Sequence, residues 1–198
     1  MKNKEIQEQR MRSYFIEATR EIIKGEGLRG VSVRSVADRA GYSYATLYNY
    51  FKDINALIFE CVNDFQKECE DFVISETQNS IHGRQKIKDI YIAYIKYFIQ
   101  YPGIFELFFL EKRNALGQSY ETHKLIYTFP NRLSSEEWNI SVANGQISSN
   151  NAELAMMEIK NLITGLLLFY LNRMQPLDYS ELLTMATMQI EDVINNKL

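Results

Sequence analysis

The chain has 198 residues, 46% of them hydrophobic, and a formal net charge of −3. This length allows one large domain or two small ones, and the apolar share is enough for a buried core, which argues against a disordered chain. No apolar run stands out as a membrane span and the first residues lack the apolar region of a signal peptide, so we expect a cytoplasmic protein with no membrane partner. Cys61 and Cys69 are too few for a disulfide framework or a zinc cluster, and we expect two ordinary, partly buried thiols.

Charge is distributed unevenly along the chain. Residues 1–52 carry ten Lys or Arg and six Asp or Glu, whereas residues 53–198 carry twelve and nineteen. A basic N-terminal portion on an acidic body indicates that the first part meets an anion, although a surplus of four charges is small enough to arise by chance.

Helical periodicity dominates the first part of the chain. From about residue 4 to 24 the apolar residues fall on one stripe, and the glycines that follow predict the end of this helix. Ser32 and Ser43 are predicted N-caps of two short helices, the first of which ends at Gly41. Asp53 is predicted to cap a longer helix that continues to about residue 75.

The rest of the chain is also predicted to be helical. Helices are expected over about 85–100, over GIFELFFLEKR and over SYETHKLIYTF, with PNRLSSEEWN as a break or a short helix. A strong helix is expected from about residue 151 to 174, capped by Asn150 or Asn151, and a last helix begins at Asp178. No segment alternates as a strand does, so the predicted fold class is all-α.

Residues 32–51 have the spacing of a helix-turn-helix: a helix, a four-residue turn with glycine, and a second short helix. Leu47 and Phe51 are predicted to face inward, which leaves the other side of the second helix for the major groove of DNA, where hydroxyls and amides read base edges. The predicted DNA-binding residues are Ser32, Arg34, Ser43, Tyr44, Ala45, Thr46, Tyr48, Asn49, Tyr50 and Lys52.

Two roles are expected within this set. Tyr48 and Tyr50 are predicted to donate to phosphate oxygens, and Tyr44, Thr46 and Asn49 to read bases. Aromatic residues at helical spacing more often build a core than a contact surface. That alternative is weaker here, because the three tyrosines do not share one stripe.

The stretch GVSVRSVADRAGYSYATLYNYFKDINAL resembles the DNA-binding domain of the tetracycline-repressor (TetR) family of bacterial regulators. The detailed match covers residues 9–69, and the family pattern is met at Ser32, Val33, Val36, Ala37, Ala40, Gly41, Ser43, Thr46, Leu47, Tyr48, Tyr50, Phe51 and Leu57. Two positions depart from it: Tyr42 stands where the family has a small apolar residue beneath the turn, and Ile54 where it often has a lysine.

The resemblance implies an N-terminal three-helix DNA-binding domain, residues 1–52, followed by a helical ligand-binding and dimerisation domain, residues 53–198. It implies a sequence-specific transcriptional regulator, a ligand-responsive repressor acting as a homodimer on a palindromic operator. A DNA-bound interaction protein without a small-molecule effector is the alternative. No catalytic motif is present, so we expect no enzyme, no cofactor and no metal site.

The helix from about residue 151 is apolar over much of its circumference. One small domain can bury only part of that apolar surface. With the last helix it is predicted to form a four-helix bundle with the same helices of a second subunit. The predicted interface residues are Leu162, Gly165, Phe169, Leu182, Met185 and Ile190. The alternative is a helix buried within its own subunit.

The middle of the chain is rich in aromatic residues, which suit a pocket for an apolar or aromatic effector. The predicted pocket residues are Tyr94, Phe98, Phe105, Phe109, Tyr120, His123 and Tyr127. Aromatics at helical spacing mostly build cores, so each of these residues has that alternative role.

Overall fold

The computed structural model describes residues 2–110 and 120–198. These residues are helical with connecting turns, and the predicted all-α class is confirmed. The chain packs into two compact units, one made of Met1–Lys67 with Tyr101–Ile126 and the other of Glu68–Gln100 with Tyr127–Leu198. This division by packing is distinct from the functional division at residues 52 and 53, which stays a prediction.

The first unit begins with helix α1, Lys2–Glu26, whose predicted apolar stripe is buried. Gly27 follows at a φ of +73°, a left-handed conformation that glycine adopts without a Cβ penalty. A short 3₁₀ turn, Leu28–Gly30, leads into the two helices of the predicted helix-turn-helix.

Helices α2, Val33–Ala40, and α3, Tyr44–Tyr48, are separated by three residues rather than the predicted four. The hydroxyl of Ser32 accepts from the backbone N–H of Ser35, and that of Ser43 accepts from the N–H of Thr46, so both predicted N-caps are confirmed. α1, α2 and α3 share one core with the start of helix α4, Ile54–Thr77. That core contains the buried residues Phe15, Ala18, Ile22, Val36, Leu47, Phe51 and Leu57.

The predicted helix over GIFELFFLEKR takes a different form in the described residues. Helix α6 is a single turn, Pro102–Phe105, and Glu106–Leu110 continue it as a π-helical turn. Gly103 lies directly against the backbone carbonyl of Ile23, and a Cβ there would overlap that oxygen. Glycine therefore lets α6 pack this closely on the end of α1.

The second unit contains helix α5, Arg84–Gln100, most of α7, Tyr120–Ala143, and the long helices α8, Ser149–Leu171, and α9, Tyr179–Lys197. The carboxylate of Glu137 on α7 ties α7 to the start of α5. It accepts from the backbone N–H of Gly83 at 2.9 Å and lies 2.7 Å from Nδ1 of His82. Burial raises the pKa of this carboxyl, but these hydrogen bonds and the nearby charge of Lys86 more than offset it and hold the pKa below its ordinary value.

The predicted break or short helix at PNRLSSEEWN is wrong, since this stretch is part of the 24-residue helix α7, which continues through Pro130. Proline removes one intrahelical hydrogen bond, a cost of about 3 kcal/mol in a helix interior. The helix persists because its flanks are firmly packed: Phe129 and Trp138 are fully buried, and the buried hydroxyls of Tyr91 and Ser134 lie 2.7 Å apart.

Two details of α8 also differ from the sequence-based expectation. The N-cap is Ser148, whose hydroxyl accepts from the N–H of Asn151, so the predicted caps Asn150 and Asn151 lie inside the helix. By length and composition, α8 is also sufficient to span a membrane. This differs from the expectation that the chain has no apolar run of that length. Only 33% of that apolar window is buried within the chain.

Candidate nucleic-acid interface

Helix α3 is held to the first unit through one side. Leu47 is fully buried, and Phe51, one turn further on, is 3% exposed and packs edge-on against Phe15. Because successive residues of a helix are about 100° apart, the side of α3 opposite Leu47 faces away from this core. Burial of the Leu47 side of α3 therefore determines which side of the helix faces outward.

The outward face of α3 is polar and aromatic. Tyr44 is 66% exposed, Tyr48 is 53% exposed, and Ala45 and Asn49 are exposed as well. The side chains of Tyr44, Tyr48 and Asn49 make no hydrogen bond or ion pair to any described residue. Large aromatic and amide groups without internal partners at the surface are typical of a contact surface rather than a core.

Three hydroxyls of the predicted set are partly engaged within the protein. The hydroxyls of Ser43 and Thr46 lie 2.9 Å apart, and the hydroxyl of Ser32 caps α2. All three residues lie at the starts of α2 and α3. Their first role is to hold these helix ends in shape, and any contact to DNA is additional to that role.

Tyr50 is less accessible than the prediction required. Its ring lies 6.2 Å from that of Phe15, and the residue is half-buried against the core of the first unit. Its backbone carbonyl accepts a hydrogen bond from Arg12. The ring of Tyr50 thus has a packing role, whereas Tyr48 is exposed at the surface.

Tyr42 does not lie beneath the turn, where the sequence comparison with the family would put it. Its ring lies against α1 at the surface, 6.0 Å from the ring of Tyr14 and 5.7 Å from that of Phe15, and 38% of the residue is exposed. The bulk of this side chain is therefore accommodated beside α1.

The cations around α3 differ in what they already bind. Lys52 is exposed and has no partner among the described residues, and Arg34 pairs only with Asp38 on its own helix, at 3.9 Å. Arg39 is paired twice, with Glu21 at 3.5 Å and Glu26 at 3.0 Å. Lys52 and Arg34 are the cations whose charge this surface offers to an anion.

A groove of about 610 Å³ runs between α2 and α3 on the same side. Arg34 and Asp38 line it from α2, and Tyr44 and Tyr48 from α3. The predicted contact residues Arg34, Ser43, Tyr44 and Tyr48 thus share one concave surface, while Ala45, Asn49 and Lys52 are exposed outside its lining.

Arg12 is a residue that the sequence did not single out. Its guanidinium donates to the carbonyl of Tyr50 at 2.6 Å, pairs with Glu60 on α4 at 3.1 Å and lies 4.4 Å from the ring centroid of Phe51. One side chain of α1 therefore joins the segment just after α3 to α4. No motif signals this, because two of its partners are a backbone carbonyl and a residue 48 positions away.

The predicted pocket residues fall in both units. In the second unit Tyr94 and Phe98 are buried with their ring centroids 4.7 Å apart, while Tyr127 is 62% exposed, with Nζ of Lys160 3.4 Å from its ring centroid. In the first unit Phe105 is buried, and its ring centroid lies 5.0 Å from that of Phe109. His123 is half-buried. The side chain of Tyr120 lies outside the described residues.

The predicted interface residues divide by burial. Leu182 and Ile190 are fully buried within the chain, where α9 packs on α8 and α5. The prediction that they contact a second subunit is therefore wrong. Phe169 is 49% exposed, and Leu162, Gly165 and Met185 are half-buried. The apolar residues that α8 and α9 do expose include Leu154, Met157, Leu168, Phe169 and Met188.

The structure offers little for metal or thiol chemistry. Within residues 2–110 and 120–198, no group of three or more His, Cys, Asp or Glu side chains is placed to hold a metal ion. Cys61 and Cys69 are fully buried rather than partly, and burial raises the pKa of both thiols far above the ordinary value.

The sequence profile of the bacterial regulatory proteins of the tetR family matches residues 15–61. This match includes the C-terminal half of α1, the whole helix-turn-helix and the first part of α4. The curated protein sequences contain no match to this chain.

Solved structures share the whole fold at low sequence identity. A protein from Rhodococcus sp. assigned to the TetR family is 18% identical, covers 93% of this chain and 98% of its own, and superposes with a TM-score of 0.74. A second such protein, from Mesorhizobium loti MAFF303099, is also 18% identical, with coverages of 96% and 97% and a TM-score of 0.72. The transcriptional regulator FadR from Bacillus subtilis, solved with stearoyl-CoA, is 15% identical, with coverages of 94% and 99% and a TM-score of 0.69.

The profile match falls on the segment whose buried side builds the helix-turn-helix core and whose outward side presents Tyr44, Tyr48 and Asn49. Sequence, fold and surface thus agree on one assignment. Residues 15–61 match the DNA-binding domain of the TetR family of bacterial regulatory proteins, and the chain shares its fold with solved structures assigned to that family.

Proposed function

We propose that this protein is a ligand-responsive transcriptional repressor that binds a palindromic operator as a homodimer. The observation that carries the proposal is the outward face of α3, whose exposed Tyr44, Tyr48 and Asn49 have no partner among the described residues. A helix held rigidly by its other face and carrying phenolic and amide groups suits the major groove.

The apolar surface of α8 and α9 supports the homodimer. Leu154, Met157, Leu168 and Phe169 lie on one side of α8, and Met188 on α9 is 65% exposed. An apolar stripe of this length is costly in water and is typical of a surface that another subunit covers. A two-fold dimer would present two copies of α3 to successive major grooves, about 34–36 Å apart.

A small-molecule effector is supported by the polar atoms buried in the second unit. The residue Tyr94 is 1% exposed, and its hydroxyl is buried without a hydrogen-bond partner. A buried, unpaired hydroxyl costs about 1–3 kcal/mol, which a polar group of a bound ligand would recover. The FadR structure of the same fold was solved with an acyl-CoA, so an effector with a long apolar part fits the aromatic character of this unit.

The proposed response runs through α4. This helix begins at Ile54, just after the helix-turn-helix, and continues without interruption to Thr77. In the proposed response, a shift of its far half moves its near half. An effector that prefers the state in which the two copies of α3 no longer match the operator releases the DNA. A tenfold change in affinity requires about 1.4 kcal/mol of such preference.

A DNA-bound interaction protein without a small effector is the second candidate. The predicted pocket residues Tyr94 and Phe98 pack on each other, and Tyr94 also lies 6.1 Å from Phe129, as in a filled core. Heat-stability screening of the full chain against acyl-CoAs and aromatic acids separates the two candidates. A ligand that raises the Tm and weakens DNA binding supports the repressor. If no ligand changes the Tm or DNA binding, the alternative is favoured.

Two experiments test the proposal itself. Sedimentation of the full chain should give a dimer, and Phe169→Glu should shift it to monomer, with Ile81→Glu, an exposed apolar residue before α5, as the matched control. A mobility shift with the promoter beside its own gene should show specific binding. A monomer at micromolar concentration, or no sequence preference in DNA binding, contradicts the proposal.

A further inference from the structure

The chemistry of α3 restricts which base pairs it can read, an inference that rests on the proposed operator binding. Ala45 and Asn49 each lie about 160° around the helix axis from the buried Leu47, one to either side of the outermost line. Both are exposed. They are therefore the side chains that would reach deepest into a groove, flanked by Thr46 and Tyr48.

This reading face has no charged side chain. Residues 43–49 read SYATLYN and contain no Arg, Lys, Asp, Glu or Gln. Guanine is read mainly by Arg or Lys on its O6 and N7, and the amino group of cytosine by a carboxylate. The face of α3 thus lacks the groups that favour a G·C pair.

The groups it does have match an A·T pair. The carboxamide of Asn49 is free of internal partners among the described residues and has the donor and acceptor that pair with N7 and N6 of adenine. The methyl groups of Ala45 and Thr46 suit contact with the C5-methyl group of thymine. The hydroxyl of Thr46 already lies 2.9 Å from that of Ser43, which commits it in part to the protein itself.

One cation shares the surface from outside α3. Among the described residues that line the groove between α2 and α3, Arg34 is the only Arg or Lys, and its side chain is 92% exposed. Its single ion pair, with Asp38 at 3.9 Å, is long and exposed and therefore weak. Arg34 is thus the group at this groove that can read a guanine.

We propose that the base pairs beneath α3 are A·T, with Asn49 reading adenine and the methyl groups of Ala45 and Thr46 reading thymine, and that a guanine in the half-site is read by Arg34 alone. The operator half-site accordingly has an A·T-only segment beneath α3. Any guanine of specific importance lies at the edge that α2 approaches.

The test starts from selection of duplexes by the full chain from a random DNA library. The selected half-site is then compared with the half-sites selected by Asn49→Ala, Arg34→Ala and, as a control, Arg39→Ala. Asn49→Ala should lose the preference for adenine at one position and Arg34→Ala the preference for a guanine, whereas Arg39→Ala should select the same half-site as the wild type. Circular dichroism confirms that each variant is folded.

Replacement of thymine by deoxyuridine then tests the methyl contacts without changing the protein or the base pairing. Each contacted methyl should be worth roughly threefold to fourfold in affinity, the equivalent of one buried methyl group. Deoxyuridine at positions outside the segment beneath α3 should change affinity by less than about twofold.

The outcomes separate the inference from the proposed function. A G·C pair at the position that Asn49→Ala relaxes, a guanine preference that survives Arg34→Ala, or equal affinity for thymine and deoxyuridine throughout the half-site overturns the inference while leaving operator binding intact. Failure of the wild type to enrich any sequence contradicts operator binding itself.

Discussion

The guanidinium of Arg12 donates a 2.6 Å hydrogen bond to the backbone carbonyl of Tyr50, two residues after the end of α3. The same group pairs with Glu60 of α4 and lies over the ring of Phe51. Helix ends leave carbonyl groups without intrahelical partners, and a cation is a favourable partner for them. Arg12 thereby links α1 to the segment that follows α3 and to α4.

Loss of Arg12 should weaken both stability and DNA binding. Arg12→Met removes a charge-assisted hydrogen bond, an ion pair and a cation–π contact, and should lower the free energy of unfolding by about 1–3 kcal/mol. Arg12→Lys keeps the charge but lacks the planar fork that reaches several partners, so it should recover only part of the loss. Urea unfolding and fluorescence anisotropy on an operator duplex measure the two effects.

The contribution of the ion pair between Arg12 and Glu60 can be measured separately from the other contacts of Arg12. Glu60→Gln should reduce DNA affinity while changing stability little, because the pair is partly exposed, at 33% and 42% of the two side chains. Glu17→Gln is the matched control, since its partner Arg20 is on the same helix. Equal DNA affinity in the Glu60→Gln variant and the wild type would show that this pair does not orient α3.

Replacing glycine by alanine should have opposite effects on stability at two positions. A Cβ at Gly103 would overlap the carbonyl oxygen of Ile23, so Gly103→Ala should destabilise the protein by about 2 kcal/mol or more. A Cβ at Gly165 meets nothing within 4 Å, and alanine there should gain up to about 1 kcal/mol of helix propensity. Urea unfolding of both variants decides this, and a destabilised Gly165→Ala accompanied by weaker self-association would place Gly165 in the dimer contact.

Lys52 and Arg39 should differ in their contribution to salt dependence. A cation that contacts a phosphate releases about one counterion, so Lys52→Ala should reduce the slope of log affinity against log salt by about 1. Arg39 is held by Glu21 and Glu26, and its replacement by alanine should leave the slope nearly unchanged. Titrations at several salt concentrations measure both, and equal slopes for Lys52→Ala and wild type would remove Lys52 from the phosphate contacts.

Glu137 should make the protein sensitive to acid. The pKa of its carboxyl is lower in the folded state than its ordinary value of about 4.5. The unfolded state therefore binds the proton more tightly, so this contribution to stability is complete above the ordinary value and is lost as the pH falls below it through the folded value. Urea midpoints against pH should fall less steeply in this range for Glu137→Gln than for the wild type, whereas Glu136→Gln, an exposed neighbour, should follow the wild type.

The helix-turn-helix could be predicted closely from the sequence because its signals are local. Serine N-caps, the left-handed glycine at residue 41 and the inward Leu47 each act within a few residues of the chain, and the structure contains all of them. The outward direction of Tyr44 and Tyr48 followed from the burial of Leu47, and both are exposed.

Features that depend on distant packing could not be predicted in the same way. The helix α7 continues through Pro130 because Phe129 and Trp138 are buried, and burial of that kind is invisible in a local pattern. Leu182 and Ile190 lie on an apolar stripe, but the pattern cannot tell a face that packs within the chain from one that a second subunit covers. Tyr42 lies beside α1, where its ring contacts that of Tyr14, and a local pattern does not reveal a contact between residues 28 positions apart.

The affinity of the full chain for its selected duplex, before and after Tyr48→Phe combined with Asn49→Ala, tests the central claim most directly. The double change removes one phenolic donor and one carboxamide from the outward face of α3 and leaves its buried side intact, so affinity should fall on the order of a hundredfold. Tyr179→Phe combined with Asn139→Ala, two exposed positions outside residues 15–61, should bind as the wild type does. Unchanged affinity and sequence preference in the first variant would contradict the assignment of α3 as the reading helix.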